Sequence, residues 1–177
     1  MEHVLDVKKL VNELTLEEKA SLCSGADFWH TKAIDRLNIP AAMVSDGPHG
    51  IRKQESLADH MGVAESIKAI GFPTASAMAC SFDRDLLHKV GDALGEECVA
   101  EDLAVLLGPG INMKRSPICG RNFEYYSEDP VVAGELGAAF VNGVQEHGVG
   151  TSLKHFAANN QEWRRMSISA CLLYTSD

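Results

Sequence analysis

Long apolar runs are missing from this chain of 177 residues. No stretch approaches the ~20 consecutive apolar residues that a membrane-spanning helix needs. The first residues, Met1-Glu-His-Val-Leu-Asp-Val-Lys8, carry neither a basic region nor an apolar one, so no secretory leader is read there. Positive charge is also in short supply. Sixteen Lys and Arg stand against 25 Asp and Glu, a formal net charge of −9. That balance argues against nucleic acid and anionic membranes as partners. Cysteine is sparse and unpaired in pattern: five residues, an odd number, with no Cys-x-x-Cys. Neither a zinc site nor a disulfide framework fits that spacing, and His49 and His60 have no partners at metal-ligand spacing. The expectation is no metal, no cofactor, reduced and mostly buried thiols, and a cytoplasmic setting. Also lacking are a Ser-His-Asp order, a nucleophile elbow and a phosphate-binding glycine loop. Gly108-Pro-Gly110 is too sparse for the last and reads as a tight turn.

What is present reads as alternating strands and helices. Apolar spacing predicts a helix over residues 7–14. Thr15-Leu-Glu-Glu18 has the form of a capping box that opens a second helix, with Leu16, Ala20 and Leu22 inward and Gly25 as its terminating glycine. A short strand is expected over residues 41–44 and another over 71–75. A long helix follows to about residue 102, capped by Ser81 or Asp83, with Leu86, Leu87, Val90, Leu94, Cys98 and Val99 as its inner stripe. Residues 103–107 read as a buried strand, 131–146 as a helix and 149–156 as a further strand. Such alternation implies a parallel sheet covered by helices. A doubly wound sheet and a closed barrel both fit the pattern. The positions of the polar residues favour an incomplete TIM-like (β/α)8 barrel. Asp46, Arg121, Lys154 and His155 fall at or just after strand C-terminal ends, which in such a barrel share one mouth.

The stretch Ser116-Pro-Ile-Cys-Gly-Arg-Asn-Phe-Glu-Tyr-Tyr-Ser-Glu-Asp-Pro130 is unusual for a connector. Arg121 stands among three carboxylates and three aromatic rings. With Asp46, Arg52, Lys154, His155 and Arg165 it forms a candidate set of hydrogen-bonding groups suited to a polyhydroxylated ligand such as a pyranose. Each residue also has a plainer reading: Asp46 as a turn residue, Arg52 as its local ion partner, His155 as a satisfied core histidine, Arg165 as solvated. Lys154 is harder to explain so, because a lysine closing an apolar strand needs a partner.

Ser45-Asp-Gly-Pro-His-Gly-Ile-Arg52, Phe72-Pro-Thr74, Gly108-Pro-Gly-Ile-Asn112, Gly120-Arg-Asn-Phe-Glu-Tyr-Tyr-Ser-Glu-Asp-Pro130 and Lys154-His-Phe-Ala-Ala-Asn-Asn-Gln-Glu162 occur in that order. In content and spacing they resemble glycoside hydrolase family 3, the β-glucosidase family, over roughly residues 6–170. The resemblance implies an N-terminal barrel domain and a retaining β-glycosidase acting on terminal β-linked sugars. It implies that Asp46, Arg52, Arg121, Lys154, His155 and Arg165 bind the sugar next to the scissile bond. It also implies a nucleophile in a downstream Ser-Asp-Trp motif and an acid/base glutamate in a second domain. Both lie outside this chain, so no catalytic residue is assigned within it and the missing partner is the C-terminal part of the same protein. Ala157-Ala-Asn-Asn160 favours the glucosidase/xylosidase branch over the N-acetylglucosaminidase branch. Alternatives are a non-catalytic sugar-binding protein and a β-xylosidase. Residues 171–177 depart from the family and read as a tail without a structural role. Lys154 and His155 would face opposite ways on an extended strand, whereas both are expected to face the same sugar, so a non-proline cis bond or another strained bend is expected between them.

Overall fold

The computed structural model describes residues 6–54, 65–159 and 161–169. His60 and the tail 171–177, both singled out in the sequence, lie outside the described residues. Three short strands, β1 (Val44–Asp46), β2 (Val105–Leu107) and β3 (Gly150–Thr151), form a parallel sheet in the order β1-β2-β3. Val44 pairs with Val105, Asp46 with Leu107 and Val105 with Gly150. A parallel bridge between Gly110 and Lys154 continues the β2–β3 alignment. The architecture is α/β with parallel strands and helical crossovers, as the alternation requires.

Two small helices precede the sheet: α1 (Val7–Glu13) and α2 (Leu16–Leu22). The Thr15–Glu18 capping box is present in both directions. The expected inward face of α2 is not observed. Leu16 and Ala20 are exposed and Leu22 is half-buried. Seven residues make two turns, too few for an apolar stripe to fix a direction without a neighbour to pack on. Cys23 caps this helix, and Gly25 instead bridges to Thr31 in the loop beyond.

No strand forms over residues 71–75. Thr74 accepts a hydrogen bond from the Ala77 amide and opens α3 (Ala75–Ala79). The cap chemistry of the threonine outweighs the short apolar run. Asp83 caps α4 (Arg84–Ala100), and Asp129 caps α5 (Pro130–Gln145), with proline at the first helical position. On α4, Leu87, Leu94 and Cys98 are buried, whereas Leu86 and Val99 face solvent. The α4 and α5 backbones approach closely at Gly91 and Gly143. A methyl group on Gly91 would lie 2.2 Å from the Phe140 carbonyl oxygen, and one on Gly143 would lie 2.2 Å from that of His88.

Leu94, Leu106, Phe140 and Val144 form the core where these helices cover the sheet. Each such buried side chain contributes about 1.5–3 kcal/mol relative to exposure. A second cluster, Met78, Leu87, Tyr126 and Leu136, fastens α3 beneath the loop carrying Arg121. Among the described residues Cys98 and Cys119 are buried and Cys23 and Cys80 exposed. Among these the mostly buried expectation does not hold, since Cys23 and Cys80 end short helices on the outer surface. Burial pushes the Cys98 thiol up to about 11.

Candidate functional site

Asp46 is the last residue of β1, not a residue of the turn that follows. Gly47 comes next with φ +128°, a conformation open to glycine and costly for other residues. The chain turns sharply there and leaves the Asp46 carboxylate at the strand tip. On the far side of β2, Lys154 lies three residues past β3. Its Nζ donates to Asp46 Oδ1 at 2.6 Å. The Lys154 side chain is 16% exposed, so it has little water to replace that partner. Arg52 does not take up the Asp46 carboxylate. Its amide donates to the Asp46 carbonyl at 3.0 Å and its side chain is exposed.

Arg121 enters from the loop after β2. A 3₁₀ turn, Asn122–Glu124, follows it directly. Lys114 Nζ donates to Ser76 Oγ, and Ser76 donates to the carbonyl of Asn122, which fastens the turn to α3. Arg121 Nε donates to Glu124, a buried carboxylate, and Nη1 lies 3.6 Å from Glu162. Burial works against the Arg121 charge. The Glu124 hydrogen bond and field outweigh it and hold the guanidinium above its usual pKa.

His155 follows Lys154 through a cis peptide bond, as expected; Phe156–Ala157 and Gly108–Pro109 are also cis. Asn112 clamps the His155 backbone, accepting from its amide and donating to its carbonyl. Arg121 Nη2 lies 2.9 Å from His155 Nε2, and Tyr125 Oη lies 2.8 Å from Nδ1. Asn159 Nδ2 donates to Tyr125 Oη at 2.9 Å and to Glu162 at 3.1 Å. Burial, then the Arg121 charge, lowers the His155 pKa. Burial also lowers that of His49, whose Nε2 accepts from the Ala75 amide.

The six predicted residues do not surround one point. Asp46, Arg52, Arg121 and Lys154 line a cleft of about 500 Å³ together with His49 and Phe123. His155 and Arg165 line an adjoining cavity of about 590 Å³. Arg121 lines both. Arg165 is exposed, in keeping with the solvated reading, and it also donates to Glu162 at 3.1 Å. Both volumes lie in the range of small-molecule sites. Among the described residues no group of His, Cys, Asp and Glu is arranged to hold a metal ion. Sequence reasoning gave no role to Asn112, Tyr125, Asn159 or Glu162. The available signal was an amide, hydroxyl or carboxylate within or beside a motif already carrying charge.

Residues 10–162 match the glycosyl hydrolase family 3 N-terminal domain. The chain belongs to glycosyl hydrolase family 3. Within this family, it is 59% identical over 164 residues to thermostable β-glucosidase B of Acetivibrio thermocellus, covering 93% of this chain and 22% of that protein. It is 53% identical to an exo-α-(1→6)-L-arabinopyranosidase of Bifidobacterium longum, covering 90% of this chain and 21% of the relative. The crystal structure of a family 3 β-glucosidase from Bifidobacterium adolescentis superposes with a TM-score of 0.78 at 53% identity, over 88% of this chain and 21% of that one. β-Glucosidase 3B from Thermotoga neapolitana in complex with glucose gives 0.80 at 40% identity, over 90% and 24%. The chain therefore spans about a fifth of the length of the curated relatives it matches.

Proposed function

We propose that this chain supplies the sugar-holding part of a retaining β-glycosidase that removes terminal β-D-glucosyl residues. The observation that carries the reading is the Asp46–Lys154 pair lining one cleft with Arg121 and Arg52. A carboxylate accepts from two neighbouring hydroxyls, and ammonium and guanidinium groups donate to others. A ligand lacking one such hydroxyl would leave a charge unmatched, which gives the cleft its discrimination. Its relatives' names support a glycoside substrate, and a glucose complex is known for the Thermotoga neapolitana neighbour.

In this proposal residues 1–170 are the N-terminal portion of a TIM-like barrel, with 171–177 as a separate tail. Asp46, Arg52, Arg121 and Lys154 hold the glycone from the first cleft, and His155 and Arg165 reach it from the adjoining cavity that Arg121 also lines. The nucleophile and the acid/base belong to sequence beyond this chain, so the chain alone turns over no glycoside. A pentopyranose is the second reading, favoured by the 53% identity to the arabinopyranosidase.

Saturation-transfer NMR with D-glucose, D-xylose and L-arabinose tests the proposal. Transfer to glucose is expected, with a large loss in Asp46→Asn and in Lys154→Met. Stronger transfer to a pentose would favour the second reading. Absence of transfer to any of the three, or transfer unchanged in both variants, would sink the sugar-holding role.

A further inference from the structure

The two ring nitrogens of His155 face different kinds of partner, and that difference fixes where the ring proton sits. Arg121 Nη2, 2.9 Å from Nε2, belongs to a guanidinium, which donates hydrogen bonds and cannot accept them. Nε2 must therefore offer its lone pair. A neutral imidazole carries one N–H, so the proton is on Nδ1. There it meets Tyr125 Oη at 2.8 Å, and the phenol oxygen accepts it. Asn159 Nδ2 donates to the same oxygen from another side, 2.9 Å away, which occupies its second lone pair.

We propose that Tyr125 is a positioning residue that holds His155 as the neutral Nδ1–H tautomer, with Nε2 kept as an acceptor toward Arg121. The geometry suits that role. Tyr125 is 1% exposed, and its ring packs against Gly110, where an added methyl group would stand 3.0 Å from Cδ1. The phenol cannot swing away without reopening that contact. Asn112 meanwhile fixes the His155 backbone through both its amide and its carbonyl. Backbone and Nδ1 are thus pinned independently, and the ring has one orientation left. Protonation at Nε2 would point a second N–H at the guanidinium. The other charged groups acting on the ring are Glu124 and Asp46, which favour the cation, and Lys154, which opposes it. Burial and Arg121 together depress its pKa, in keeping with a neutral ring.

The consequence is directional. A hydroxyl that reaches Nε2 must donate its proton there and displace the Arg121 bond, so His155 selects for donors. An O-methyl or deoxy analogue at that position has none to give. The tautomer assignment concerns the unliganded ring and stands apart from the sugar reading.

The test is 15N NMR of this chain with labelled histidine, using His155→Gln to assign the ring. At neutral pH the expected spectrum shows a protonated Nδ1 and an unprotonated Nε2. A through-space contact between the Nδ1 proton and the Tyr125 ring protons is expected as well. A protonated Nε2, or an Nδ1 proton without that contact, would overturn the proposal in the unmodified protein. In Tyr125→Phe the Nδ1–H loses its acceptor and the ring can turn away from Arg121, so the separation between the two nitrogen signals should shrink as the tautomers mix; an unchanged separation would leave the tautomer to Arg121 alone and remove Tyr125 from the role. None of these readouts involves sugar binding, so the outcome is separable from that of the saturation-transfer experiment.

Discussion

Lys154 Nζ stands 2.6 Å from Asp46 Oδ1, although 108 residues separate them in the chain. The pair joins the two outer strands over the tip of the central one. Replacing Asp46 with Asn removes the charge but keeps the shape, and leaves a largely buried ammonium without its anion. A loss of about 1–3 kcal/mol in urea unfolding is expected. Lys154→Met should cost a similar amount, and the double variant less than the sum. Strict additivity would mean that the two charges do not act on each other.

Gly91→Ala should destabilise the chain by roughly 1–3 kcal/mol. The new methyl group meets a backbone carbonyl, not a flexible side chain, so α5 must move as a body. Gly134→Ala, on α5 itself, is the control, because nothing lies within 4 Å of its added methyl group. There the change should be neutral or mildly stabilising by thermal melting, since alanine is the better helix former.

Stability should fall on mild acidification. His49 and His155 both have folded pKa values below the ordinary 6.5, chiefly through burial. Above 6.5 both rings are neutral folded and unfolded, and nothing is lost. Below it the unfolded chain takes up protons that the folded chain refuses, so unfolding gains ground until each depressed pKa is passed. Urea midpoints between pH 7.5 and 5 should decline. His155→Gln should flatten part of that slope, and an identical slope would clear His155 of the effect.

The region around β3 presents apolar side chains to solvent. Phe156, Met166, Ile118 and Trp163 are largely exposed, and Leu153 is half so. β3 also has no strand partner beyond β2 among the described residues. Poor solubility of the isolated chain is expected, with concentration-dependent light scattering. Phe156→Ser with Met166→Ser should reduce the scattering. A clear, monodisperse solution of the unaltered chain at high concentration would contradict this.

Where a residue's role depended on its near neighbours, the sequence was readable. Thr15 caps the helix it precedes, Asp83 is one of the two caps the sequence offers for α4, and β2 with α4 and α5 follow from their apolar spacing. The segment 71–75 reads equally as a short strand or as the entry to a helix, because five residues are too few to show a period, and the Thr74 cap decides for the helix. Leu16 was placed inward because a short pattern cannot say which face a neighbour will cover. At the candidate site, Asp46 and Lys154 announced themselves as charges at strand ends. Asn112, Tyr125 and Asn159 did not, since each acts on a residue distant in sequence. Arg165 and His155 share a cavity beside the Asp46 cleft because Glu162 and Tyr125 hold them there.

The sheet order sets a timetable for synthesis. Asp46 leaves the ribosome 108 residues ahead of Lys154. At roughly 5–20 residues per second, the carboxylate waits about 5–20 s before its counter-ion exists. Through that interval the nascent β1 tip stays hydrated, and the cleft can take shape only after β3 and Lys154 have been made.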